Sequence, residues 1–321
     1  MIDVSHLSKS YFVTTPAKSW RQRLALFSTR PQREIKALDT VSFQVEKGSI
    51  CGIIGLNGAG KSTLIKILTG VISQSSGRCL VDSMSPRDNR RRYTSGIGVV
   101  FGQRTQLLWD LPATQTFQLH QRIYQIPQSR YRRNVVEFGD ILGVNEFADR
   151  PVRLLSLGQR MRAEIMVALL HDPHVLFLDE PTIGLDVLVK DKIRGAISSL
   201  VQERGTTVIL TSHDMTDIEQ LSQQLLLLDQ GRVKFSGNQD AFASIHKAAK
   251  TYRFRLTNTF AHPLLAQASE EEPGVYSISE PSVEGESELL SQLCAELPLA
   301  ALSVESHCLE NLVKTYFRQS E

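Results

Sequence analysis

Gly55-Leu56-Asn57-Gly58-Ala59-Gly60-Lys61-Ser62-Thr63 is the stretch that decides the fold. Its spacing, a glycine, four further residues and then Gly-Lys-Ser, is that of a phosphate-binding loop. The flanks supply the required context. Ile50-Cys51-Gly52-Ile53-Ile54 is an apolar run of strand length, and Leu64-Ile65-Lys66-Ile67-Leu68 opens a helix. Glycines allow backbone N–H groups to converge on phosphate oxygens, because a Cβ would block the approach. The helix start adds unpaired N–H donors and a positive dipole end. Lys61 is expected to reach the β- and γ-phosphates, and the Ser62 hydroxyl to bind Mg²⁺. The loop implies a nucleoside triphosphate ligand.

At 321 residues the chain has room for about two domains with real cores. A 22% share of charged residues and 41% hydrophobic ones describe an ordinary globular protein. No apolar run approaches the roughly 18 residues that span a bilayer, and no secretory signal is visible after Met1. Cys51, Cys79, Cys294 and Cys308 lie far apart, which favours a reducing cytoplasm and no structural metal. The net charge of +2 conceals an asymmetry. Residues 256–321 hold eleven glutamates against Lys314 and Arg318, a net −9, which leaves +11 on residues 1–255. A basic body suits nucleotide, an anionic membrane surface or nucleic acid, and charge alone does not choose.

Up to about residue 245, apolar strand-like runs alternate with helical stretches. The plainest are Ser49–Ile54, Gly96–Phe101, Val175–Leu178, Thr207–Thr211 and Leu225–Leu228. Their near-continuous hydrophobicity predicts strands buried on both faces, as in a mostly parallel α/β sheet. Ile2–Val4 and Thr40–Val45 are more amphipathic and predict an antiparallel edge region. Between them lies a basic insertion, Pro16 to Lys36, with Trp20, Leu24 and Phe27 at helical spacing. It reads either as a helix packed on its own domain or as one lying on a membrane or membrane partner. From residue 250 to 321 a small α+β domain is expected, with strands near Tyr252–Leu256, Val275–Ser279 and Leu302–Val304 and helices near Ser287–Leu297 and Leu309–Phe317. Glu270-Glu271-Glu272-Pro273-Gly274 reads as a solvated loop.

The second half of the site is Val175-Leu176-Phe177-Leu178-Asp179-Glu180, an apolar strand ending in two carboxylates. A buried strand delivers such side chains to a ligand at the carboxyl edge of the sheet. Asp179 would serve the Mg²⁺ shell, and Glu180 would orient and polarise the attacking water as general base. Between the motifs, Leu155-Ser156-Leu157-Gly158-Gln159-Arg160 opens a helix from Met161 to Leu170. With these residues in place, the chain resembles the nucleotide-binding subunit of an ATP-binding-cassette (ABC) transporter over residues 1 to about 245. The resemblance implies ATP and Mg²⁺ as ligands and a helical subdomain headed by this signature. It implies that Tyr11, with Phe12 as rival, stacks on adenine, and that Gln103 contacts Mg²⁺ and water. It further implies Asp186 as the D-loop aspartate and His213 as γ-phosphate sensor. In resembling proteins two cassettes meet head to tail, so Ser156, Gly158 and Gln159 would close the other subunit's site. Leu157 departs from the usual Leu-Ser-Gly-Gly-Gln, and altered packing is expected there.

Val100-Phe101-Gly102-Gln103-Arg104, Leu107-Leu108-Trp109-Asp110-Leu111-Pro112 and Asp179-Glu180-Pro181-Thr182-Ile183-Gly184-Leu185-Asp186 are similar to ATPases of multidrug or viologen-type exporters with separate six-helix permeases. That likeness implies export, a cytoplasmic subunit attached to the membrane through integral-membrane permease subunits, and a second ATPase subunit, expected to be a homodimer partner. Trp109 is either a core residue or the anchor against the permease. The alternative class, a soluble cassette ATPase acting on ribosomes or nucleic acid, fits less well. The chain has a single phosphate-binding loop, no long heptad run and no cysteine cluster, so no nucleic acid partner is expected.

Overall fold

The computed structural model describes residues 2–14, 32–102, 104–245, 250–258, 262–280, 283–305 and 309–319. They form two compact units, Met1–Gly237 and Asn238–Glu321. In the first unit the strands are β1 (Ile2–Thr14), β2 (Gln32–Val45), β3 (Ile50–Ile54), β4 (Ser76–Val81), β5 (Ile97–Phe101), β6 (Val175–Asp179), β7 (Thr207–Thr211), β8 (Gln224–Asp229) and β9 (Arg232–Gly237). Its helices are α1 (Lys61–Leu68), α2 (Arg90–Ser95), α3 (Ala113–Ile123), α4 (Gln128–Leu142), α5 (Leu157–Leu169), α6 (Val187–Arg204) and α7 (Met215–Leu221).

Six strands make the central sheet in the order β5-β6-β7-β3-β8-β9, all parallel except the β8–β9 pair. The five runs picked out by hydrophobicity are β3, β5, β6, β7 and β8, and β3 and β7 are buried at every position. Two-faced burial explains why their sequences do not alternate. β2, β1 and β4 form the antiparallel edge sheet. Between the sheets lies a core containing Ile2, Leu38, Ile53, Leu64, Ile67 and Leu226. The edge hairpin is longer than expected. β1 runs on to Thr14 and pairs with β2 back to Gln32, with Tyr11 opposite Ile35. Arg33 to Lys36, read as part of a basic helix, are therefore strand residues. Here the ladder hydrogen bonds to β1 outweigh local helical spacing. Residues 15–31, with Trp20, Leu24 and Phe27, lie outside the described residues.

In the second unit, a short helix α8 (Gln239–Ile245) precedes β10 (Lys250–Leu256), β11 (Ser269–Glu272), β12 (Val275–Glu280), α9 (Val283–Glu296), β13 (Leu299–Glu305) and α10 (Leu309–Gln319). The sheet order is β11-β12-β10-β13, antiparallel throughout. Tyr252, Phe254, Ile278 and Leu293 fill its core. The acidic loop expected at Glu270–Glu272 is instead the edge strand β11, paired with β12. Only an edge tolerates a strand whose four side chains are all exposed, and Glu271 gains an ion pair to Arg253 at 2.8 Å.

The helical part of the first unit is fastened to the sheet by a ring stack. The Tyr124 ring lies 4.0 Å from that of His171, and His120 stacks at 5.7 Å from Tyr124. His171 is buried, and its Nε2–H donates to the Ile97 carbonyl at 2.9 Å, while Nδ1 has no hydrogen-bond partner among the described residues. Burial pushes its pKa from 6.5 down to about 4. The unfolded chain therefore binds a proton that the fold refuses, and stability falls as pH drops from the ordinary histidine range toward 4. That penalty is about 2 kcal/mol at pH 5. His171→Phe should lose about 2 kcal/mol less than the wild type between pH 7 and pH 5 in urea unfolding. Parallel losses in the two proteins would show that His171 is not the acid-sensitive group.

Candidate active site

The nucleotide loop is a consequence of where β3 stops. Its carbonyl-end residues lead into Gly55, and α1 begins at Lys61 with Gly60 as its N-cap. Gly60 has φ +106°, and a Cβ there would lie 2.7 Å from the Ala37 carbonyl oxygen, so no other residue fits without moving β2. Lys61 is buried, and its ammonium donates to the carbonyls of Gly55 at 2.6 Å and Leu56 at 3.2 Å. Burial lowers its pKa, against the opposing pull of Glu180 and Asp179. The cation is thus pinned at the mouth of a cavity of about 190 Å³. Asn57, Gly58, Ala59, Gly60, Lys61, Ser62 and Thr63 line that cavity together with Ala37, Glu180 and His213. The loop, the carboxylate and the histidine expected to cooperate are therefore brought together.

Parallel pairing aligns the two acidic positions. Asp179 ends β6 opposite Thr211 at the end of β7. The Thr211 hydroxyl donates to Asp179 Oδ1 at 2.6 Å and accepts the Glu180 N–H at 3.1 Å. Glu180 adopts φ +57°, a left-handed conformation that costs about 1–3 kcal/mol in a residue with a Cβ. That turn aims its carboxylate at His213, whose Nε2 lies 2.7 Å from Oε1. A group held this way can accept a proton from water and be released when the histidine finds another acceptor.

The signature residues stand apart from this cavity. Ser156 caps α5 and Gln159 closes a capping box. The Gln159 N–H donates to Ser156 Oγ at 3.2 Å, and the Ser156 N–H donates to Gln159 Oε1 at 3.0 Å. A Cβ on Gly158 would lie 3.0 Å from the Val189 side chain on α6, a contact that a small shift of the valine relieves. Asp186 caps α6 through the Val189 N–H. Ser156, Gly158, Gln159, Asp186 and Tyr11 are not among the residues lining the Lys61 cavity. Tyr11 sits on β1, partly exposed, with the Lys9 ammonium over its ring at 5.1 Å. Gln103 lies outside the described residues. The unusual Leu157 has its Cδ2 3.2 Å from where a Cβ on Gly184 would sit, and it is 40% exposed. Trp109 is 49% exposed and carries the Arg160 guanidinium over its ring at 5.4 Å, so it is not a core residue.

One contributor escaped the sequence reading. Asp217, in the first turn of α7, is fully buried and accepts from the Thr182 hydroxyl, the Ser212 hydroxyl at 2.9 Å and Arg194 Nε at 2.8 Å. Thr182 follows Glu180 by two residues and Ser212 precedes His213, so one carboxylate braces both sides of the Glu180–His213 pair. Its only sequence signal was an acidic residue four places after the histidine, which any exposed helix start would also show.

The donor set suits a triphosphate and its metal. Ser62 lines the cavity, and Asp179, which accepts from Thr211, ends β6; a hydroxyl and a carboxylate are the small protein share that Mg²⁺ ordinarily takes.

Comparison with known proteins agrees with this geometry. The family model described as ABC transporter matches residues 38–183. ABC transporter ATP-binding protein NatA of Bacillus subtilis is 29% identical over 68% of this chain and 88% of its own length. Energy-coupling factor transporter ATP-binding protein EcfA3 of Clostridium perfringens is 31% identical over 64% of this chain and 74% of its own. Relatives named for opposite tasks score alike. Daunorubicin resistance ATP-binding protein DrrA3 of Streptomyces coeruleorubidus and methionine import ATP-binding protein MetN of Haemophilus influenzae are each 33% identical over 64% of this chain, covering 64% and 61% of their own lengths. Among solved structures, cbiO1 of Clostridium perfringens, part of the ABC transporter complex cbiONQ, superposes with TM-score 0.62 at 27% identity, covering 76% of this chain and 91% of its own. The cassette MJ0796 bound to ADP and Pi shares the fold at TM-score 0.62 and 24% identity, over 74% and 98%. A loop that pins its lysine beneath a paired glutamate and histidine, inside this fold and among these relatives, places the chain in the ABC transporter ATP-binding family, as an ATPase.

Proposed function

We propose that this ATPase is the motor of an exporter: two copies close around two ATP–Mg²⁺, and closure drives a separate integral-membrane permease. The observation that carries the two-copy reading is the division of the site. Ser156 and Gly158 head a helix whose N-terminus suits a γ-phosphate, yet they do not line the cavity that holds Lys61. A second copy, supplying its signature across the interface, completes each site. Exposed aliphatic side chains around these motifs support the same reading, namely Leu157, Ile183, Val187 and Leu188, the last two 70% and 77% exposed. Apolar surface of that kind is what a self-association face presents.

In this reading Lys61 and the loop N–H groups hold the β- and γ-phosphates, with Tyr11 or Phe12 against adenine. Ser62, Asp179 and Gln103 hold Mg²⁺, which when bound neutralises charge on the phosphate oxygens. Glu180 orients a water and takes its proton as the new O–P bond forms. The bond from the γ-phosphorus to the bridging oxygen breaks, and its electron pair leaves with ADP. His213 turns from Glu180 to the γ-phosphate, freeing the carboxylate for that work. Trp109, with Leu108 and Leu111, offers an exposed apolar anchor for the permease. No described helix is long and apolar enough to cross a membrane; in this reading the permease holds the subunit at the cytoplasmic face. Export rests on the likeness of the 100–112 and 179–186 stretches to export ATPases and on the kinship with DrrA3. Import would follow if a permease captured with this chain paired with an external binding protein.

Glu180→Gln should retain ATP binding while lowering turnover about 10²–10⁴-fold, read in a phosphate-release assay. Turnover near the wild-type rate would remove Glu180 from its role. Gly158→Asp should leave nucleotide affinity of the single chain unchanged yet abolish ATP-dependent dimerisation of a Glu180→Gln background in size-exclusion chromatography. Dimers that persist in the double variant would refute the shared-site reading.

A further inference from the structure

We propose that Glu164 is a positioning residue for ATP hydrolysis, fastening the loop that follows β5 to the helix that carries Ser156 and Gly158. Glu164 lies two turns into α5, between Ala163 and Ile165, and is only 4% exposed. Burial raises its pKa, and a carboxylate so placed is costly unless its oxygens are engaged. They are engaged by one short segment. The Thr105 hydroxyl donates to Oε1, and the Gln106 N–H donates to Oε1 at 2.9 Å and Oε2 at 3.1 Å. Thr105 in turn accepts the Leu107 N–H at 3.1 Å. Glu164 therefore ties residues 105 and 106, shortly beyond Gln103, to α5, while the Gln106 side-chain amide donates to the Val99 carbonyl on β5 at 2.7 Å.

One turn earlier on the same helix, Arg160 covers Trp109. The backbone adds two more ties, from the Val152 N–H to the Leu111 carbonyl and from the Arg153 N–H to the Trp109 carbonyl, both at 3.0 Å. The loop 104–111 is thus tied to α5 at Glu164 and Arg160 and to the turn that precedes α5 at Val152 and Arg153. Arg104, Thr105, Leu157, Arg160 and Glu164 also border a cavity of about 160 Å³ between loop and helix. When α5 moves to meet a γ-phosphate, the segment beside Gln103 moves with it.

The effect on turnover rests on the two-copy reading above, whereas the fastening does not. Two measurements on the full chain separate them. In Glu164→Ala, amide exchange of a peptide spanning 104–108 should quicken by about tenfold or more. Unchanged exchange would overturn the fastening. In the same variant kcat should fall about tenfold with the KM for ATP within about twofold, and Glu164→Gln, whose amide oxygen still accepts the Gln106 N–H, should recover to within about threefold of wild type. An unchanged kcat in Glu164→Ala, or a Gln variant as slow as the Ala variant, would overturn the positioning role. If Glu164→Ala does not fold, Thr105→Val removes one tie from the loop side and should lower kcat about threefold at constant KM. A wild-type kcat there would likewise overturn it. Failure of the two-copy reading appears separately, as dimers in the Gly158→Asp background.

Discussion

A positive charge held in a dry place is the constraint on which the rest of this cassette depends. Lys61 loses hydration inside the first turn of α1 and is compensated by two loop carbonyls, which accept from two of its three donors without neutralising it. The uncancelled charge is what a polyphosphate answers. Keeping the ammonium there requires a helix that starts where a parallel strand ends, a loop too tight for side chains at Gly60, and a β2 backbone pressed close behind it. Asp179 and Glu180 arrive by the same geometry, because β6 is registered two strands away from β3 and ends at the same sheet edge.

Around this fixed centre the mobile chemistry is governed by carboxylates that never meet the ligand. Asp217 braces the loops of Glu180 and His213, and Glu164 holds the loop after β5. Each is buried and each accepts from hydroxyl or backbone donors on a different segment. A side chain that must bind several donors at once permits few arrangements of the loops bearing them. The strained φ of Glu180 is tolerable for that reason, since its neighbours leave the turn little alternative.

Most of the ATPase unit was legible in the sequence because its motifs are local. A phosphate loop needs contiguous residues, and strands buried on both faces announce themselves as unbroken apolar runs. The signature was equally readable, although its helix begins at Leu157 rather than Met161, because Ser156 and Gln159 form a capping box there. What escaped was non-local. Asp217 and Glu164 look like surface acids until the fold closes over them, and no spacing links Glu164 to Thr105, 59 residues away. The hairpin arm at Gln32–Lys36 was misread because the helical spacing of Trp20, Leu24 and Phe27 was extended to the end of the basic insertion, and a sequence carries no record of the strand that will pair with it. Glu270–Glu272 misled for the opposite reason, since three adjacent glutamates suit a loop better than a strand unless the strand lies at an edge.

That edge has a further consequence. A four-stranded antiparallel sheet leaves open backbone along its margins, and such margins recruit strands from other copies. On the β11 side any incoming strand meets a row of glutamate carboxylates, whose mutual repulsion and hydration make pairing unfavourable. The acidity of this small unit thus serves as protection against edge-to-edge aggregation. It is an electrostatic guard whose strength weakens as high salt screens the row.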